Sequence, residues 1–170
     1  MADVSSMPLQ SEFEQLFREH SRMLYRTAYS LLDSGPDAED VLQTVFLRLL
    51  RGGLPSEFQR NPKGYLYRSA VNVSLDAVRS RKRASIAAEK YCPEAPLETD
   101  FVEESHRRLA EALAELDPEA TQILVLKYVH SYKDAEIARV LGTSRGAIAM
   151  RLLRSRSRLK ELMRALEEKR

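Results

Sequence analysis

Between Arg139 and Lys160 the chain carries six arginines and one lysine with no aspartate or glutamate among them. Cations at that density suit a polyanion, because guanidinium groups fork onto phosphate oxygens and release the counterions bound there. The residues around them point to a way of presenting that charge. Ala135, Ile137, Ala138 and Leu141 give a small-and-apolar face to a short helix, and Gly142 stands where the chain can leave it with positive φ. Thr143 or Ser144 can cap a second helix through its hydroxyl, and Ile148, Leu152, Leu159, Leu162 and Leu166 then recur at helical spacing. The expectation is a helix-turn-helix whose second helix enters a DNA major groove, Arg145 and Met150 nearest the base edges and Arg151 and Arg154 nearer phosphate. A solvated basic face on an ordinary helical hairpin is the alternative.

A second cluster mixes cations, rings and an amide. Lys63, Tyr65, Tyr67, Arg68, Asn72 and Arg79 follow Pro62, and the broken segment before it, Gly52 to Asn61, carries Phe58 and Arg60. Rings stack on unpaired bases while cations hold the backbone, so this set suits single-stranded nucleic acid, with Phe58 and Asn72 holding an unpaired base. Tyr65 and Tyr67 equally suit the edge of a core. Asp40 and Gln43, three apart on a helix, face one way and can meet one partner surface. Catalytic and metal chemistry find no footing. His20, His106 and His130 lie far apart with no nucleophile beside them, and the lone Cys92 permits neither an internal disulfide nor a metal-ligand spacing. No enzyme activity, cofactor or metal is expected.

The elements that must position these groups are helical. At 170 residues the chain suits two small domains, and its few glycines and prolines and lack of tryptophan favour helix over strand. The net charge of +2 hides segregation: Arg60 to Arg83 and Arg139 to Lys160 are basic, and Glu94 to Glu119 is mostly acidic. Ser11 and Glu14 form a capping-box pattern ahead of a first helix ending near Leu32. Ser34, Gly35 and Pro36 break it, and Asp37, Glu39 and Asp40 suit the start of a second helix, with Val41, Leu42, Val45, Phe46, Leu49 and Leu50 facing the core until Gly52 and Gly53. Pro62 starts a third helix. Periodicity fades over Ser80 to Lys90, and Pro93 and Pro96 mark a linker. A second unit follows, its first helix carrying Phe101, Val102, Leu109, Leu113 and Leu116 and its second Ile123, Leu124, Leu126 and Val129, ahead of the helix-turn-helix pair. The expected fold is all-α: two small helical domains, 1–83 and 101–170, joined by a flexible linker at 84–100. No segment has the length and apolarity of a membrane span, and the N-terminus lacks the basic start and apolar core of a signal, so a cytoplasmic protein without membrane insertion is expected.

In this order the motifs resemble the extracytoplasmic-function sigma factors, the minimal members of the sigma-70 family of bacterial RNA polymerase. The resemblance covers nearly the whole chain. DAEDVLQTVFLRLLR (Asp37 to Arg51) resembles the helix that binds core polymerase, and PKGYLYRSAVNVSLDAVRSRKR (Pro62 to Arg83) the one behind promoter melting and minus-10 recognition. LDPEATQILVLKYVHSYKDAEIARVLGTSRGAIAMRLLRSR (Leu116 to Arg156) resembles region four, which reads the minus-35 element. The resemblance implies core-polymerase contacts at Asp40, Gln43, Phe46 and Leu47, and minus-10 contacts at Phe58, Tyr65, Arg68, Asn72 and Arg79, with Asp76 also fitting the pattern. It implies minus-35 contacts at Arg145, Ala147, Met150, Arg151 and Arg154. Thr44 replaces the usual acid and Tyr65 the usual tryptophan, while Ala147, Ala149 and Met150 stand where polar residues are more common. The implied partners are RNA polymerase core, double-stranded promoter DNA, the melted minus-10 strand and an anti-sigma factor. A helix-turn-helix regulator that does not replace a sigma subunit is the rival reading; it has no need of both DAEDVLQ and the second basic, aromatic helix.

Overall fold

The computed structural model describes residues 7–52, 54–91 and 101–168, which form eight helices and, among the described residues, no strand. The first unit holds α1 (Met7–Leu32), α2 (Gly35–Gly52), the short α3 (Ser56–Arg60) and α4 (Pro62–Tyr91). The second holds α5 (Phe101–Glu115), α6 (Pro118–Tyr128), α7 (Asp134–Leu141) and α8 (Arg145–Glu168).

Helix ends follow local chemistry. Ser34 accepts a hydrogen bond from the Asp37 amide at the start of α2, and the Asn61 side-chain oxygen accepts one from Gly64 (2.9 Å) at the start of α4. Pro118 occupies the first turn of α6, where no amide hydrogen is needed. The α1 boundary differs from expectation: the helix begins at Met7, so Ser11 and Glu14 lie within it. The segment expected as a broken loop contains α3, and Phe58 on it is buried, its ring edge-on to Tyr65 at 5.8 Å. Residues 84–91, expected as linker, continue α4 as a mostly exposed helix. The rest of that linker, 92–100, lies outside the described residues.

Two helices carry the core. In α4, Leu66, Tyr67, Ala70, Val71, Ser74, Leu75 and Val78 are all buried, a stripe too wide for one packing partner. The helix has two sets of partners: α1, α2 and α3 within its own unit, and α5, α6 and α7 of the other. In α6, Thr121 to Leu126 are buried without interruption because α4, α5, α7 and α8 surround it. The buried apolar residues of both units accordingly form one continuous cluster. Some expected core positions stand outside it. Leu50, Phe101, Val102 and Leu109 are exposed, and so is Ala135 on α7.

Candidate polymerase and nucleic-acid interfaces

The α2 face carries Asp40 and Gln43 in solvent, with Leu47 exposed one turn further on. Phe46 does not join them. It is 4 % exposed and packs against Phe13 and Phe17, with ring centroids 5.5 and 4.9 Å away, so it supports the helix from behind. The displayed apolar surface comes instead from Leu47, Leu50 and Leu54, and Thr44, Leu47, Arg48, Arg51 and Gly52 line a shallow hollow beside it. Leu50 keeps the core-facing spacing of the stripe yet lies at the surface. The sign that it lies at the surface is its neighbours, Arg48 and Arg51, which leave the end of the helix polar on both sides.

On α3 and α4 the five expected nucleic-acid contacts separate. Asn72 is exposed and Arg68 half-buried, and they line one hollow together with Asp117, Pro118, Glu119, Gln122 and Leu141 of the other unit. Tyr65 is half-buried against Phe58. Phe58, packed away from solvent, presents no face for a base to stack on, which corrects the expectation that it stands in an open loop. Arg79 is already engaged: its Nε and Nη2 donate to the Ala114 carbonyl at 3.0 and 2.8 Å, and Nη1 lies 3.4 Å from Asp76. Tyr67 follows the core reading. It is fully buried, its hydroxyl donates to the Gln122 carbonyl at 2.6 Å, and burial holds its phenol well above the usual tyrosine range.

The third surface is the α7–α8 pair. Gly142 adopts φ 68° and ψ 41°, and the Thr143 amide donates back to the Ala138 carbonyl at 2.9 Å, the left-handed helix stop that glycine allows. Ser144, rather than Thr143, caps α8, accepting from the Ala147 amide at 3.2 Å. Ile148 and Leu152 are buried beneath the helix, which turns Arg145, Met150 and Arg154 outward and leaves Ala147 half-buried. Arg151 is ion-paired with Glu119. Arg156 lies over the Tyr128 ring at 5.5 Å. Between the end of α6 and the start of α7, the hydrogen bond from Lys127 to Asp134 (2.7 Å) holds that carboxyl below the usual aspartate range.

Comparison with known proteins follows the same division. Residues 16–84 match the family model described as Sigma-70 region 2, and residues 106–159 match Sigma-70, region 4. The chain is 32 % identical over 158 residues to the ECF RNA polymerase sigma factor SigM of Mycobacterium tuberculosis, covering 89 % of this chain and 76 % of that one. It is 30 % identical to the RNA polymerase sigma-E factor of Streptomyces coelicolor, covering 88 % and 85 %. Among solved structures, that of CnrH in complex with the cytosolic domain of CnrY is similar, with a TM-score of 0.54, 25 % identity and coverage of 92 % of this chain and 90 % of that chain.

Proposed function

The chain belongs to the extracytoplasmic-function sigma factors of the sigma-70 family, and from that premise we propose how its surfaces divide the work of promoter-specific transcription initiation. As a sigma factor it binds RNA polymerase core and promoter DNA and directs where transcription begins. The observation that carries this is the match of two sigma regions, in order, to the two helical units. A helix-turn-helix regulator would account for the second alone.

Asp40, Gln43 and Leu47 form the polymerase face, joined by Leu50 and Leu54, whose exposed side chains give a partner apolar area to cover. Phe46 acts through them by holding α2 in place. Arg68 and Asn72 meet the melted minus-10 strand, with Tyr65 at the edge of that face and Arg79 available once it leaves Ala114. Arg145 and Met150 meet the base edges of the minus-35 element, Arg154 and Arg151 meet phosphate, and Ala147 allows the helix a close approach to the groove floor. The chain acts, in this reading, as a binding subunit in the cytoplasm rather than as a catalyst, in keeping with its family. Among the described residues no helix is long and apolar enough to cross a membrane. CnrH is solved with the cytosolic domain of CnrY, and an anti-sigma factor is proposed as a further partner here.

Run-off transcription with core polymerase tests the whole reading. Added chain should give promoter-specific transcripts that disappear in the Asp40→Ala, Gln43→Ala variant. Transcription from no promoter, with tight duplex binding retained, would favour the regulator reading.

A further inference from the structure

Between the end of α1, the second half of α4 and α5 lies a cavity of about 370 Å³ that has no part in the polymerase face or the DNA-reading surfaces. Its size falls in the range of small-molecule sites, roughly 300–1,000 Å³. The floor is apolar. Leu31, Leu32, Val78 and Ala110 line it and each is a buried core residue, so the hollow offers the body of an organic ligand apolar surface to cover.

The rim decides which head group that body can carry. Three cations stand there, and each is already matched to a carboxylate. Arg81 is paired with Asp37 and donates to the Leu32 carbonyl at 3.1 Å. Lys82 meets Glu115 at 3.0 Å, and Arg107 meets Glu104 at 2.6 Å and Glu111 at 2.9 Å. An anion would have to displace these partners. The acceptors, by contrast, are left over. Glu103, in the first turn of α5, has no cation in ion-pair range among the described residues. Asp33 has only His106, whose Nδ1 lies 3.9 Å away, beyond hydrogen-bond reach. The other ring nitrogen of His106, Nε2, is 3.0 Å from the Ser30 carbonyl, which can only accept. Nε2 therefore carries the hydrogen, and in the neutral ring Nδ1 is a further acceptor. An ammonium group has three donors and no acceptor, the complement of this set.

We propose that the cavity is a binding site for a small amphiphilic cation, its apolar body on Leu31, Leu32, Val78 and Ala110 and its ammonium head taken up by Asp33, Glu103 and His106. The sigma factor then has an input for a small molecule, apart from the surfaces through which it meets polymerase and promoter.

The test is an NMR titration of the full chain, its leucine and valine methyls labelled, with n-alkylammonium ions from butyl to hexyl and with hexanol and hexanoate as counterparts. Hexylammonium should saturate and move the methyls of Leu31, Leu32 and Val78 first, and each added methylene should tighten binding about two- to fourfold. Asp33→Asn with Glu103→Gln should weaken hexylammonium about tenfold, the worth of a charge-assisted hydrogen bond, and leave hexanol unchanged. Asn suits the left-handed backbone of Asp33 (φ 49°) and Glu103 is exposed, so the fold is kept. Should the double variant melt early, Glu103→Gln alone serves, with an expected loss of about threefold. Hexanoate binding as tightly as hexylammonium overturns the cationic class. Shifts that never saturate, or that spread to the exposed Leu47, Leu50 and Leu153, overturn the site itself. Hexylammonium affinity untouched by the variants overturns the assignment of the head group.

Discussion

Arg154 stands in solvent with no acid in ion-pair range among the described residues, whereas Arg151, one turn earlier on α8, is paired with Glu119. The two cations therefore respond differently to DNA. Arg154→Ala should weaken binding to all duplexes alike and lower the salt slope by about one counterion, read from titrations across salt. Arg151→Ala should change that slope by less, because a phosphate contact there first has to displace Glu119. The pair itself is 41 % and 46 % exposed, so its loss should alter thermal stability little, by about 0–1 kcal/mol. Arg145 lies in the first turn of α8; if its fork meets a guanine, Arg145→Ala should cost about 1–3 kcal/mol on the preferred site and relax specificity there. Phe58 turns the other way. Its buried ring makes Phe58→Ala a stability variant, expected to cost about 3–5 kcal/mol in denaturant unfolding, and a fully stable variant that loses only promoter melting would contradict that placement.

Among the elements, the long helices were legible because period and punctuation agree. Pro36, Gly52, Pro62, Pro118 and Gly142 each stand at or beside a helix end, and the apolar stripes between them supply direction. The short α3 was not legible, since its five residues are too few to show a period. Phe58 therefore read as an aromatic in a loop. Leu50, Phe101 and Leu109 erred the other way: they keep the helical stripe, yet lie where no second element covers them. Two element-level outcomes follow. Asp40→Ala with Gln43→Ala should weaken assembly with core polymerase while leaving the melting temperature near the parent's, because both side chains are solvent-exposed. Gly142→Ala should cost about 1–2 kcal/mol, since a Cβ there meets open space but φ 68° strains any L residue.

At the scale of the whole molecule, most of the contact between the units was not legible in the sequence, for a physical reason. Many of its acceptors are backbone carbonyls, those of Ala114, Gln122, Val129 and Val140 among them, and every residue type carries a carbonyl. The donors Arg26, Asn61 and Arg79 are visible in the sequence, but they look the same whether they await a phosphate or a helix end. His130 makes the contact sensitive to acid. Burial, with Arg26 on α1 and Lys63 on α4 adding to it, pushes the imidazole down from 6.5 to about 4, with Thr27, Tyr67 and Tyr132 packed around the ring. The packed form thus binds fewer protons than the separated one, so stability rises with pH. The contribution of neutral His130 is complete above 6.5 and is lost as pH falls from 6.5 towards about 4. Thermal melts across that window should show the decline in the parent and a flatter profile in His130→Gln. The direction of the contacts also sets an order in time. In a chain growing from its N-terminus, Asn61 and Arg79 are in place before Val140 and Ala114 have been made. At about 5–20 residues per second, the roughly 77 residues between the end of α4 and the end of α8 take about 4–15 s to emerge. For those seconds a nascent chain presents α1 to α4 before the helices that pack against α4 from the second unit have been made.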